Sequence, residues 1–273
     1  MMILVLDIGN SQIHGGLFDG DRLMDEFRKS TGVQATEDEI GIFLVQVLRE
    51  WGRKPEDLHA TGVASVVPAL LPAVVKGIRQ YLGSDPVVVQ PGTRTGLRIQ
   101  TKAPEEVGAD RIASSIGALD AYPGENLIVI DMGTATTFDC LTADKTFHGG
   151  VIAPGLRLSM EALYRNTAKL PPVEIRACEE ALGRSTETNI QSGLYFGHVG
   201  LIRELLPRLK AEAFGEDGEC RVIVTGGYAE MLMPEQLFDH YEPHLVLKGI
   251  RIATERNLPA RRKGKERNET HVA

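Results

Sequence analysis

Leu4-Val5-Leu6-Asp7-Ile8-Gly9-Asn10-Ser11 and Ile128-Val129-Ile130-Asp131-Met132-Gly133-Thr134-Ala135 write one pattern twice in a single chain. Each copy begins with a short aliphatic run, which reads as a buried strand. An acid ends the run, then come an apolar residue, a glycine and a small polar residue. The two acids stand 124 residues apart. Hairpin-like strands follow both copies: His14–Phe18 and Arg22–Phe27 around Asp19-Gly20, then Thr137–Leu141 and Lys145–Ile152. Two copies of one α/β unit explain the repeat, with a boundary near Ala118–Glu125. The expected organisation is a first domain over 1–120, a second over 121–258, and a basic tail over 259–273. Ligands of α/β sheets sit at strand ends, so the expected site is the cleft between the copies.

The remaining segments fill in that plan. Thr36–Trp51 places Ile40, Phe43, Leu44, Val47 and Leu48 at helical spacing, with acids at its start. Helices are also expected over Pro72–Leu82, Pro104–Tyr122, Ser185–Leu209 and Gly249–Arg256. Strands are expected over Gly62–Val67, Val87–Val89, Arg221–Val224 and Leu245–Leu247. Gly193, Gly197 and Gly200 lie within the long helix, where small residues let another helix approach, from the core or from a second subunit.

The 273 residues are 42% hydrophobic and 25% charged, which excludes a wholly disordered, collagenous or disulfide-stapled chain. Net charge is −7; the tail Pro259–Ala273 holds five basic side chains against two acidic ones, leaving −10 on the rest. An acidic body argues against a nucleic-acid-binding face, and the tail reads as a solvated, disordered end. Cys140, Cys178 and Cys220 are widely spaced and form no CxxC, so a reducing cytoplasmic setting fits. The start MMILVLDIGN lacks a signal peptide's basic region, and Val63–Val75, broken by Pro68 and Pro72, is too short to span a bilayer. A soluble protein without membrane partners is expected.

The repeated loops suggest phosphate chemistry. A glycine after a strand end lets backbone N–H groups approach phosphate oxygens, and Asn10, Ser11, Thr134, Thr136 and Thr137 add side-chain donors. Two facing turns of this kind suit one polyphosphate held between them. An acid aimed at a phosphate repels it by about 4 kcal/mol at ~4 Å and an effective dielectric near 20. Asp7 and Asp131 therefore make sense with a hard cation between carboxylate and phosphate, Mg²⁺ or an alkali ion. The plainer alternative is that both acids only cap turns. In Gly108-Ala109-Asp110-Arg111, Asp110 suits a base for a substrate hydroxyl and Arg111 an anion clamp; a surface ion pair is the alternative. Thr225-Gly226-Gly227 suits a flat backbone surface for a base or ribose; a simple turn after a strand is the alternative. His14, His148 and His198 form no HxxE or HExxH pattern and read as ordinary residues.

The paired DxGNS and DxGTA loops resemble the actin-like and sugar-kinase nucleotide-binding architecture. With Glu106–Ile112 (EVGADRI), Gly149–Leu156 (GGVIAPGL), Gly183–Gly197 and Thr225–Ala229 (TGGYA), the chain from about Met1 to Leu258 resembles the type III pantothenate kinase family. The resemblance implies an α/β fold of two RNase-H-like (actin-like ATPase) domains with the active site in the cleft between them, and a homodimer. It implies ATP-dependent phosphorylation of pantothenate to 4'-phosphopantothenate, the first step of coenzyme A synthesis. Asp7, Ile8, Gly9, Asn10, Ser11, Gln12, Ile13 and His14 would form the first phosphate loop, and Thr134 would contact ATP. Asp110 would accept the proton; Gly108, Ala109, Asp110, Arg111 and Thr186 would bind pantothenate. Asp131 would hold a monovalent cation, K⁺ or NH₄⁺, beside the Mg²⁺ that accompanies ATP. Ser11 stands where the family usually has Thr, keeping the hydroxyl. Thr101 stands where it usually has Tyr, removing an aromatic wall from the substrate side. A kinase for another acceptor and a nucleotide-sensing regulator remain alternatives.

Overall fold

In a computed structural model that describes residues 1–90 and 92–258, both copies of the repeat open a sheet of the same plan. In the first, β1 (Met2–Ile8) pairs antiparallel with β2 (Gln12–Asp19), which pairs with β3 (Arg22–Ser30). β4 (Ala60–Ser65) and β5 (Val87–Val89) add parallel strands on the other side, giving the order β3-β2-β1-β4-β5. The second sheet is built from β7 (Leu127–Met132), β8 (Ala135–Thr142), β9 (Thr146–Pro154), β10 (Arg221–Thr225) and β11 (His240–Tyr241). Its order β11-β10-β7-β8-β9 repeats the first, with β6 (Arg98–Ile99) added beyond β9. The expected pair of like α/β units is what the chain forms. The basic-tail reading of 259–273 lies outside the described residues.

Helices close the faces. α1 (Glu37–Glu50) starts at Thr36, whose hydroxyl accepts from the Glu39 N–H while the Glu39 carboxylate accepts from the Thr36 N–H, a reciprocal cap. With α2 (Leu71–Gly77) it covers one face of the first sheet, burying Leu4, Leu6, Leu44, Leu48, Val74 and Ile78. α4 (Leu156–Arg165), α5 (Thr186–Phe214) and the short α6 (Ala229–Leu232) lie against the second sheet, where Ile128, Ile130, Phe138, Leu194, Ile202 and Leu232 are buried together. Between the sheets run α3 (Ala109–Ala121) and α7 (Leu245–Asn257), in one core with Ile3 and Val5 of β1 and Leu127 and Val129 of β7. They cross closely enough that a Cβ at Gly117 would collide with the Leu245 carbonyl and one at Gly249 with that of Ala113.

Three expectations need correction. Leu245–Leu247 is the first turn of α7, not a strand; Leu245 and Leu247 are both fully buried, and so short an apolar run does not separate the two. Pro104–Tyr122 is not one helix: a single 3₁₀ turn over Pro104–Glu106 is followed by a break, and α3 begins after Gly108. The long helix runs past Leu209 to Phe214, carrying Pro207 within it. No helix among the described residues is long and apolar enough to cross a membrane.

Candidate active site

The two acid loops are closed in the same way. After β1, the Gly9 N–H donates to the Gln12 carbonyl at 3.1 Å; after β7, the Gly133 N–H donates to the Ala135 carbonyl at 3.0 Å. Each bond turns the chain back into its hairpin and leaves the preceding carboxylate at the strand end. The loops meet: Ser11 Oγ and Thr134 Oγ1 are 3.1 Å apart, across 123 residues of sequence. Between them lies a cleft of about 300 Å³ lined by Asp7, Asp110 and Asp131 together with Arg28 and Arg111.

Asp110 reaches the cleft because α3 starts late. Gly108 caps the helix, and a Cβ there would lie 2.5 Å from Asp110 Oδ1. The carboxylate turns back to accept the Arg111 N–H at 2.7 Å. Burial pushes its pKa up, against that bond and the Arg111 charge. Burial also pushes Asp7 up to about 8, reinforced by the charges of Asp110 and Asp131 and opposed by Arg28. Asp131 is pushed up to about 7 by burial, Asp110 and Asp139. Three carboxyls thus share one enclosure with too little positive charge to ionise freely. Oxygen donors alone, short of a counter-charge, fit a hard cation.

Gly226 shapes the wall beside Asp131. Its φ is +95°, and a Cβ would sit 2.6 Å from Asp131 Oδ1 and from the Met132 backbone. Only glycine lets the end of β10 come this near. Gly227 follows it on the cleft wall.

Of the residues expected at the site, Asp7, Gly9, Asn10, Ser11, Gln12, His14, Asp110, Arg111, Asp131 and Thr134 line this cleft. The Ile8 and Ile13 side chains are buried in the core under the first sheet, leaving their backbone for the loop. Gly108 and Ala109 set the start of α3 without lining the cavity. Thr186, the first residue of α5, is exposed and does not line it. Thr101 does not line it either; its Oγ1 is buried without a hydrogen-bond partner, and its methyl faces Gly149. Thr134 and Thr137 face the cleft, but the Thr136 hydroxyl pairs with His198 Nε2 at 2.7 Å in the buried interior.

Asp139 was not foreseen. This buried residue of β8 accepts from Arg111 Nε at 2.8 Å and from Arg111 Nη2 as well. Burial raises its pKa to about 6 despite the guanidinium beside it. Arg111 also lies over the Phe147 ring, 5.4 Å from its centroid. The arginine is therefore held rigidly at the cleft wall. Tyr241, Pro243 and His244, just before α7, complete the rim and were also missed.

A profile of type III pantothenate kinases matches residues 3–208. The chain belongs to the type III pantothenate kinase family. A type III pantothenate kinase of Legionella pneumophila (strain Paris) is 48% identical over 256 residues, covering 94% of this chain and 99% of its own length. One from Elusimicrobium minutum is 44% identical with the same coverage. Among solved structures, a ROK family glucokinase from Streptomyces griseus in complex with glucose and AMPPNP matches with a TM-score of 0.50 at 15% identity, over 93% of this chain and 98% of that one. At that identity the likeness concerns the fold alone, and it agrees with the two-sheet plan that family membership implies.

Proposed function

We propose that this protein transfers the γ-phosphoryl group of ATP to the primary hydroxyl of pantothenate, making 4'-phosphopantothenate for coenzyme A synthesis. The observation that carries the reading is the convergence of both acid loops and Asp110 on one cleft, in a member of the type III pantothenate kinase family. Phosphoryl transfer needs positioning and charge neutralisation more than covalent assistance. Gly9–Gln12 and Gly133–Thr134 supply backbone and hydroxyl donors to the phosphates from two sides. Asp110, whose proton affinity burial has raised, accepts the hydroxyl proton. Arg111, pinned by Asp139, presents a fixed positive edge to the acceptor's carboxylate.

Mg²⁺ accompanies ATP, and Asp131 with the backbone around Gly226 is the place for K⁺ or NH₄⁺. Such a cation would offset phosphate charge beside a carboxylate that burial otherwise keeps near neutrality. Thr186 and Thr101 reach the acceptor only if a second copy or a closure brings them there. The homodimer reading is supported by Gly193, Gly197 and Gly200, which leave open space on α5, and by exposed Leu158, Leu163 and Tyr164 on α4. We read 1–120 and 121–258 as the two folding units and the cytoplasm as the setting.

The test is ADP release by purified protein with ATP and Mg²⁺, comparing pantothenate with glucose and acetate, with and without K⁺. Pantothenate-dependent release stimulated by K⁺ is expected. Release with glucose or acetate but not pantothenate would reassign the acceptor; release indifferent to K⁺ would remove the cation from Asp131.

A further inference from the structure

At one side of the same cleft, where His14 stands opposite Asp7 in the β1–β2 register, side chains of three separate segments converge. His14 Nε2 on β2 lies 2.6 Å from Glu26 Oε2 on β3. His244, the residue capping α7, places Nδ1 3.4 Å from the same oxygen. The three donor atoms all fall within 4.8 Å of one another. His244 Nδ1 is buried and has no hydrogen-bond partner. A buried polar atom left so is costly, and native structures seldom leave one without a reason.

Two imidazole nitrogens and one carboxylate oxygen are the donor set of a borderline divalent ion such as Zn²⁺, Co²⁺ or Ni²⁺, and a poor set for Mg²⁺ or K⁺. Around a tetrahedral ion with ligand bonds of about 2.0–2.2 Å, donors lie roughly 3.3 Å apart. The His244–Glu26 separation already has that value. The His14–Glu26 contact has to open by less than ~1 Å on the same measure, a movement available to Glu26, whose side chain is 41% exposed. Arg28, which faces the group from β3, opposes the added charge, and the Glu26 carboxylate offsets it.

We propose that His14, Glu26 and His244 form a three-ligand site for a zinc-class transition-metal ion, with its remaining position open toward the cleft. His14 and Glu26 belong to the first-sheet hairpin, whereas His244 lies on the link from β11 of the second sheet to α7. The ion joins those two parts of the rim. Its ligands differ from the oxygen donors around Asp131, and its existence does not depend on which acceptor the enzyme uses.

The experiment takes the full chain, stripped with a chelator and kept free of nucleotide, and titrates it with Zn²⁺ by calorimetry and with Co²⁺ by visible absorption. One equivalent is expected, with d–d bands of a four- or five-coordinate Co²⁺ carrying nitrogen ligands, a raised Tm, and no displacement by excess Mg²⁺. Glu26→Gln and His244→Ala should each weaken binding by at least ~10-fold. Glu26 is on an exposed strand face, so Glu26→Gln decides the matter if His244→Ala does not fold. Absence of saturable binding overturns the proposal. So does unchanged affinity in the folded variants, which would put the ion on Asp7 and Asp131 or on a cysteine.

Discussion

The loops after β1 and β7 share one backbone device and differ in what presses on the acid. Around Asp7 the near neighbours are other charges, Asp110, Asp131 and Arg28. Around Asp131 there is also a wall of backbone, the Gly226 segment, close enough to exclude any side chain there. Burial is the main cause at both, pushing Asp7 up to about 8 and Asp131 up to about 7. On the function proposed above, the duplicated motif would take two roles from its surroundings: the second loop, with the Gly226 wall, would hold the cation, and the first would face the phosphates.

Asp110 is the charge both acids feel, so changing it tests the division most strongly. Asp110→Asn should lower kcat by about 10²–10⁴-fold in the ADP-release assay, the usual worth of general-base help. ATP affinity should hold or improve, because one negative charge leaves the cleft. Equal losses in turnover and nucleotide binding would instead place Asp110 with the phosphates.

The next effect concerns Arg111 of α3, which Asp139 of the second sheet holds in place. The Arg111 side chain is 15% exposed and that of Asp139 2%, so this is a buried pair. Removing one partner leaves the other charge stranded. Asp139→Ala should cost about 3–5 kcal/mol in urea unfolding. The double change Arg111→Met with Asp139→Leu should recover much of that stability while leaving pantothenate KM raised. A cost under ~1 kcal/mol for Asp139→Ala, as for an exposed pair, would show that Arg111 is not pinned.

What was legible in the sequence was local. Strand, acid and glycine lie within eight residues, so the loops, their pairing and the cleft between two α/β copies could be read directly. Asp139 could not, because nothing next to it announces an arginine 28 positions earlier that folding brings within 2.8 Å. The first turn of α7 was misread for a related reason. It packs between α3 and the first sheet, and burial on several sides erases the period that marks a surface helix. His14 read as ordinary and His244 drew no reading at all, because their shared partner, Glu26, is brought to both by a hairpin and by the return of the chain from the second sheet.

A smaller effect separates the two acids by pH. Each has a folded-state pKa above its ordinary value of 3.8, so each contributes stability that is complete below about pH 4 and lost as pH rises, through about 7 for Asp131 and about 8 for Asp7. Without cations, Asp7→Asn and Asp131→Asn should therefore match the parent's stability near pH 4 and exceed it at pH 8, on the order of 2–4 kcal/mol. Both differences should open near pH 4, where the unfolded chain ionises; the Asp131 difference should level off near pH 7 and the Asp7 difference near pH 8. Parallel melting profiles from pH 4 to 8 would mean that the folded protein already neutralises both charges.

The loop glycines give the finest distinction. A Cβ at Gly9 would lie 3.2 Å from the Gln12 carbonyl, a backbone atom held in the turn's own hydrogen bond, whereas one at Gly133 would meet Asp131 Oδ1 at 3.5 Å, an ordinary contact. Gly9→Ala should cost about 1 kcal/mol of stability, and Gly133→Ala under ~0.5 kcal/mol. The functional effects should run the other way. The methyl at Gly133 touches the carboxylate oxygen proposed to hold the cation and takes up space beside it, so this variant should need several times more K⁺ for half-maximal activity. Gly9→Ala should keep the parent's K⁺ requirement, because its methyl points at a carbonyl and not at Asp131. If both variants shift the K⁺ requirement equally, the cation is shared between the loops and the first acid has the same role as the second.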